Sequence, residues 1–449
     1  MTLSIPSFRL LFVFIMASAI GESTSWGVTL EWSRQLGTSA DDEAYRLWAD
    51  GLGNVYISGY TWGSLGGPSA GTRDTFLAKY DAVGTLQWNR QFGTPRGEGA
   101  RSLSGDGLGN VFIAGFTSGS LDGTNAGLFD AYLRKYDAAG NLQWGRQFGT
   151  AAEEGSLGVS ADGLGNVYIS GYTDGSLDGT NAGLSDAYLR KYDGTGDLQW
   201  GRQFGTSGHD GLEDVSADGL GSVYVTGYTY GSLDGPNAGE SDAYLRKYDD
   251  AGNIQWTRQF GTAASDGSVG VSADGLGNVF LAGYTSGNLD GPNAGLGDAY
   301  LRKYDAAGNL QWARQFGTSN YEASWAVSAD GLGNVYVSGY TRGSLGGPNA
   351  GGSDSFVAMY DTAGALRWIQ QLGSSADEGG YVSADGLGNV YISGFTDGSL
   401  GGPNAGGRDV WMAKFSDSGV PEPSTLLLAG FALVPVILRR RATCQRGTS

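Results

Sequence analysis

The chain is short of most of the side chains that carry chemistry. It has 449 residues with one Cys, one His and only 10 Pro. The single cysteine, Cys444, lies near the C-terminus, so a chain processed there has no disulfide to hold it. The single histidine, His209, excludes a His-rich metal site and leaves room for at most one His-dependent triad. Lys and Arg number 28 against 46 Asp and Glu, a formal net charge of −18, which leaves no basic surface to displace counterions from nucleic-acid phosphates. Such a charge suits a soluble surface protein or one that collects cations. Long apolar runs occur only at the two ends. What is abundant is glycine, 80 residues, without a Gly-X-Y period, alongside 12% aromatics. That combination points to many tight turns between short strands and a sizeable core.

The phrase Gly-Leu-Gly-Asn/Ser-Val-Tyr/Phe recurs seven times, starting at Gly51, Gly107, Gly163, Gly219, Gly275, Gly331 and Gly386. Five of the six spacings are 56 residues and the last is 55. A second phrase, Trp-x-Arg/Gln-Gln-Phe/Leu-Gly, recurs with its tryptophan at Trp32, Trp88, Trp144, Trp200, Trp256, Trp312 and Trp368. Each period holds four candidate strands: in the second full copy Val111–Thr117, 131–136, Leu142–Phe148 and a small-residue strand 157–161. The turn 137–141 joins the middle pair as a hairpin, and Leu142, Trp144, Arg146 and Phe148 are expected on one face. Four short antiparallel strands per repeat of this length predict a propeller blade. The two phrases are out of phase, so Val28–Leu36 is a spare strand at the start and the last copy stops at 410–415 one strand short. The reading is an all-β, seven-bladed β-propeller closed by the N-terminal strand completing the last blade, over residues 26–418, with no free edge left. A monomer is expected.

The Asp-Gly-x-Gly-Asn-Val-Tyr-x-x-Gly-Tyr-Thr run, the Asp that opens the third strand (Asp130) and the Gly-Asn-Leu-Gln-Trp hairpin resemble the SBBP family of bacterial beta-propeller repeats. The resemblance implies a fold and no particular activity. The element Asp137-x-x-Gly140-x-x-x-Trp144 is also similar to the tryptophan-docking repeat of quinone-type propellers, for which only the packing role is expected.

Both ends read as addresses. Residues 1–24 carry Arg9, an apolar run 10–20 and the small residues Ala17-Ser18-Ala19, the pattern of a secretory signal peptide. Residues 420–449 carry Pro421-Glu422-Pro423, an apolar run 426–438 and Arg439-Arg440-Arg441. These resemble the PEP-CTERM sorting signal, which implies an exosortase-type processing peptidase as partner and a transient membrane contact through a short C-terminal helix. Thirteen apolar residues reach about 20 Å as a helix, short for a permanent span, and the arginines are expected on the cytoplasmic side. The expected location is the bacterial cell surface or extracellular space.

Candidate chemistry falls on aligned positions. An acid follows each Gly-Thr/Ser pair at Asp42, Glu98, Glu154, Asp210, Asp266, Glu322 and Glu378, a sevenfold ring on the loops between blades. One reading makes these acids structural, pairing with Arg34, Arg90, Arg146, Arg202, Arg258 and Arg314 or capping loops; that pairing leaves the Gln370 copy without a cation. The other makes them a cation site at the channel mouth, where oxygens suit Ca²⁺. The opening acids Asp74, Asp130, Asp186, Asp242, Asp298, Asp354 and Asp409 are equally eligible. No EF-hand or Gly-Gly-x-Gly-x-Asp loop is present. The loop that supplies Asp122 and Asn125 has Gly66, Gly346 or Gly401 in other copies, so calcium is a weak expectation and no cofactor is expected. The symmetry breaks at Trp62, Asp174, Tyr230, Arg342 and Asp397, which follow the Tyr/Phe-Thr pair, and with Arg96, His209 and Tyr321 these are expected on one face. That mixture suits binding of a polysaccharide or surface protein. The alternative is a carbohydrate-active hydrolase or lyase using loop carboxylates, whose acid pair has no sequence signature.

Overall fold

The computed structural model describes residues 27–417, which form 28 strands in seven four-stranded antiparallel sheets. The segments expected to be a signal peptide, 1–24, and a sorting tail, 420–449, lie outside the described residues. In the first blade the strands run Asp42–Ala49, Val55–Thr61, Asp74–Tyr80 and Leu86–Phe92, in that order from channel to rim. The inner strands of successive blades contact each other around a closed ring, Glu378–Ala384 meeting Asp42–Ala49. Closure is by the N-terminal strand: Val28–Leu36 pairs antiparallel with Asp409–Asp417, Val28 opposite Asp417 and Leu36 opposite Val410. The seventh sheet thereby gains its fourth strand from the opposite end of the chain.

Each blade is held by apolar side chains sandwiched between neighbouring sheets, such as Leu77, Leu103, Val111, Ile113 and Tyr136 between blades one and two. Two turns per blade lie at one end of the ring. In the turn 50–54, Asp50 accepts the amides of Leu52 (2.8 Å) and Asn54 (2.9 Å), while Gly51 and Gly53 take φ +67° and +91°, values glycine adopts without penalty.

Two details depart from the sequence reading. The small-residue strand starts at Glu154 rather than 157, so the acid ring sits inside the strands. A bulge between Lys135 and Tyr136 shifts the outer strand's register, and Leu142 turns out to solvent, 46% exposed, away from Trp144. Bulges also explain the 55-residue spacing. The first six inner strands each carry an extra residue, as between Ala44 and Arg46 or Ser324 and Ala326. The seventh pairs continuously from Glu378 to Ala384 and has no such residue.

Candidate functional site

All seven ring acids are fully buried, and none meets an arginine. Each turns back into its own loop. Thr94 donates its amide (2.8 Å) and hydroxyl (2.6 Å) to Glu98, which also accepts Thr117 Oγ1 (2.8 Å). Glu154, Glu322 and Glu378 repeat this arrangement. The shorter Asp42, Asp210 and Asp266 take the amide and hydroxyl of Thr38, Thr206 and Thr262. Burial raises the carboxyls of Asp42, Glu98 and Asp266 above their ordinary range against these lowering hydrogen bonds. Of the two structural options, loop capping is the one realised.

The arginines serve a different purpose from the expected one. Arg146 stacks on Trp144 and donates to the carbonyls of Gly196 (2.7 Å), Thr195 (3.0 Å) and Gly145 (2.9 Å), tying its rim to the next blade's turn. Gln370 therefore lacks a link between blades, not a partner for an acid. Three of the four loop aspartates are also spoken for: Asp122 holds Arg134 bidentately at 2.6 and 2.9 Å, as Asp178 holds Arg190 and Asp290 holds Arg302, whereas Asp234 is exposed and Arg246 donates to Thr257 (2.8 Å). Where the loop has Gly66, Gly346 or Gly401, the third strand has Ala78, Ala358 or Ala413 in the arginine's place, so acid and base are present or absent together. Opening acids such as Asp130 accept Gln147 Nε2 (2.8 Å) and the Ala126 amide (3.0 Å). Among the described residues no group of three or more His, Cys, Asp or Glu is placed to hold a metal ion.

The symmetry-breaking residues do gather on the face where the inner strands begin. Trp62 and Tyr230 are 50% and 53% exposed, and Asp174, Arg342 and Asp397 are exposed beside them. Ser185 donates to Asp174 (2.6 Å) and lies 3.1 Å from His209 Nδ1, with the Tyr230 ring edge-on to the imidazole. Tyr321 stacks on Tyr340 with ring centroids 6.2 Å apart. Arg408 binds Asp397 (2.9 Å) and Glu43 (2.7 Å).

A second set, at the channel itself, was not singled out from the sequence. Tyr60, Phe116, Tyr172, Tyr228, Tyr284, Tyr340 and Phe395 form a sevenfold aromatic collar on the second strands. Five of the facing inner-strand residues are glycines; a Cβ on Gly155 would stand 2.6 Å from Tyr172, so glycine is what lets the ring lie flat. Below the collar the bulge residues of the inner strands differ in every copy: Tyr45, Arg101, Leu157, Glu213, Val269 and Trp325, with Tyr381 in the unbulged blade. Six of these, with Arg46, line a cavity of about 90 Å³, which continues into one of about 160 Å³ lined by Asp214 and a girdle of serines.

Charge in this mouth is mixed, with Glu43 and Asp397 beside the cations of blades seven and one. Arg73 lies between the Tyr60 and Phe116 rings at 4.7 and 5.0 Å, Arg408 over Phe395 at 4.3 Å, and Arg101 over Tyr45 at 4.2 Å, all in blades seven, one and two. Glu153, Asp174, Glu213 and Asp214 lie in blades three and four. Arg46 reaches across, 3.9 Å from Asp214 and over the Tyr381 ring at 4.9 Å. Burial pushes Glu213 up to about 7 against the opposing pull of Arg46, and raises Asp214 as well. Among the described residues the Arg101 guanidinium donates no hydrogen bond and the Glu213 carboxyl accepts none, so both side chains retain capacity for a ligand.

Four segments of the chain, residues 31–67, 143–178, 255–290 and 311–346, match the SBBP Beta-propeller repeat. These four segments, about a third of the chain, are similar to that repeat. It is 30% identical over 230 residues to the Regulatory protein FlaEY of Caulobacter vibrioides, covering 48% of this chain and 24% of that protein. It is 27% identical over 177 residues to the Uncharacterized WD repeat-containing protein L264 of Acanthamoeba polyphaga mimivirus, covering 32% of this chain and 13% of that protein. The chain therefore spans a quarter or less of these relatives' own length. Among solved structures, a protein of unknown function from Dyadobacter fermentans is similar at 12% identity and TM-score 0.42, covering 87% of this chain and 99% of that one. The beta-propeller domain of the Trilobed protease from Pyrococcus furiosus is similar at 8% identity and TM-score 0.41, covering 86% and 94%.

Proposed function

We propose that this chain is an exported cell-surface binding protein, not an enzyme, that recognises polysaccharide at its collared channel mouth. The observation that carries the reading is the unspent hydrogen-bonding capacity of Arg101 and Glu213 beneath seven aromatic side chains. Aromatic faces take the apolar faces of sugar rings, while a guanidinium and a carboxyl read hydroxyls and charged substituents. Trp62, Tyr230 and Tyr321 extend the same surface outward, and a surface protein with a matching loop is the second ligand class it suits. The export part of the reading rests on the sequences of the two ends, with the tail as a PEP-CTERM signal removed by an exosortase-type peptidase.

The alternative, a carbohydrate-active hydrolase or lyase, loses the loop acids to capping, and Asp214 is engaged by the Val215 and Val271 amides (3.0 and 3.2 Å), which leaves Glu213 as its channel carboxyl. Glycan-array binding combined with an oligosaccharide cleavage screen tests both. Binding without turnover is expected, reduced at least tenfold by Arg101→Ala or Tyr228→Ala at unchanged melting temperature. Turnover abolished by Glu213→Gln with binding retained would establish the enzyme instead, and no glycan bound at all would overturn the reading. Mass spectrometry of the surface form should find the segment from Pro421 onward missing.

A further inference from the structure

The end of the propeller opposite the mouth carries two concentric rings of exposed aliphatic side chains. The inner ring is the leucine at the tip of each inner turn, Leu52, Leu108, Leu164 and their equivalents, between 60% and 79% exposed. The outer ring is the first residue of each rim strand, Leu86, Leu142, Ile254 and equivalents with Leu30, between 43% and 54% exposed. The turn itself has no use for the tip side chain. Asp50 and the two glycines close it, and any L-residue satisfies the geometry at Leu52. Yet all seven copies have leucine there, while the bulge position in the same blades has drifted through Tyr, Arg, Leu, Glu, Val and Trp. Two rings of exposed aliphatic side chains, kept in every copy without a packing role, mark a contact surface.

The occupant follows from where the chain enters and leaves. Val28 and Asp417 are paired at this same end. The sequences beyond them contain the chain's two long apolar runs, 10–20 and 426–438. Nine extended residues from Asp417 span at most about 30 Å, so a bilayer holding 426–438 lies within reach of the leucine tips. Half-buried tryptophans such as Trp88 and Trp144, their indole N–H groups bonded to turn carbonyls at 3.1 Å, stand behind the tips around the rim. Aliphatic tips backed by tryptophan is the arrangement that settles at a lipid–water boundary. Charge selects the lipid. Asp137, Asp193, Asp249 and Asp305 on the outer turns are held below the usual carboxylate range, chiefly by turn hydrogen bonds, and stay ionised. Lys135 and Lys247, with the guanidiniums of Arg90 and Arg146, also lie at this end, bonded to turn carbonyls and still charged, so the face presents both signs.

We infer that, before the tail is removed, this face rests on a lipid bilayer whose headgroups are zwitterionic, with the tail in the membrane and the mouth turned away from it. The inference rests on the export half of the reading above. It is tested with the full chain carrying Cys444→Ser and one reporter cysteine bearing a polarity-sensitive dye, either Leu164→Cys on the inner ring or Asp174→Cys at the mouth. With phosphatidylcholine vesicles containing a quencher lipid, the dye at position 164 should shift to the blue and be quenched at least threefold more than at 174. Phosphatidylglycerol in place of phosphatidylcholine should weaken the effect. Changing Leu108, Leu164, Leu220 and Leu276 together to Ser should lower vesicle binding at least tenfold without moving the melting temperature. Equal, weak quenching at both positions would overturn the inference, because the tail would then tether a propeller standing clear of the lipid. Burial of position 164 by concentration-dependent dimers without vesicles would overturn it in favour of a second copy. A chain found inside the cell would sink export while leaving the vesicle result standing, so the two failures can be told apart.

Discussion

Trp48 lies across Gly105 of the next blade: a Cβ on that glycine would stand 2.2 Å from the indole edge. Every other copy has Ser in place of Trp48 and Ala in place of Gly105. The serines form a girdle in the channel, each accepting the amide of the next blade's alanine, from Ser104 to Ala161 (3.2 Å) round to Ser383 and Ala49 (3.1 Å). Six interfaces have this bond, and the interface between blades one and two has the indole instead.

Gly105→Ala should therefore destabilise the propeller by about 1–3 kcal/mol, the range for an overpacked site with a rigid neighbour. Adding Trp48→Ser should recover most of that loss, because the pair then matches its six counterparts. Chemical denaturation of the two single variants and the double variant gives the coupling directly. Single effects that simply add would dissolve the relationship.

The closing strand makes the second prediction. Removing residues 26–37 deletes the partner of Asp409–Asp417 and leaves Trp411 and Met412, which lie in that strand's buried packing, next to an open edge. The truncated chain should aggregate or lose its cooperative melting transition. An unchanged transition in a scanning calorimeter would refute closure by this strand.

The fold was legible because repeats multiply weak signals. One Asp-Ala-Ala-Gly-Asn turn is a hint, whereas six Asp-x-x-Gly copies and a strand spare at one end and short at the other fix the ring. The acids were harder. Each has Thr or Ser four residues before it, Thr38 before Asp42 and Ser374 before Glu378, so a self-capped loop was written in the spacing, but only coordinates show the side chain turning back into it. The channel residues escaped because a bulge breaks strand alternation. Tyr45 and Arg46 are consecutive, yet both line the cavity. Comparing the bulge position across copies was the signal available.

Arg146 tests the corrected role of its series. Arg146→Gln removes donors to three carbonyls at a half-exposed rim site and should cost about 1–2 kcal/mol. Arg146→Lys should fail to restore it, since an ammonium cannot span the Gly196 and Thr195 carbonyls as the planar fork does. No loss of stability at Arg146→Gln would contradict the assignment.

Glu213 gives the channel a pH signature. Burial raises its carboxyl to about 7 in the folded protein, above an ordinary 4.5, so the native state holds a proton that the unfolded chain has released between these values. Stability must then fall as pH rises through that window, with the full cost of the charge present above pH 7. Asp42, Glu98, Asp214 and Asp266 are raised too and contribute slopes of the same sign, so the wild-type profile alone does not isolate the residue. The difference from Glu213→Gln does. The two proteins should be equally stable near pH 4, and the variant should be more stable by about 1–3 kcal/mol at pH 8, from roughly 1.4 kcal/mol per pKa unit reduced for partial exposure to the channel. Urea denaturation at pH 4, 6 and 8 measures this. A difference that stays flat with pH would place the carboxylate in open water, with an ordinary affinity for its proton and no special poise in the mouth.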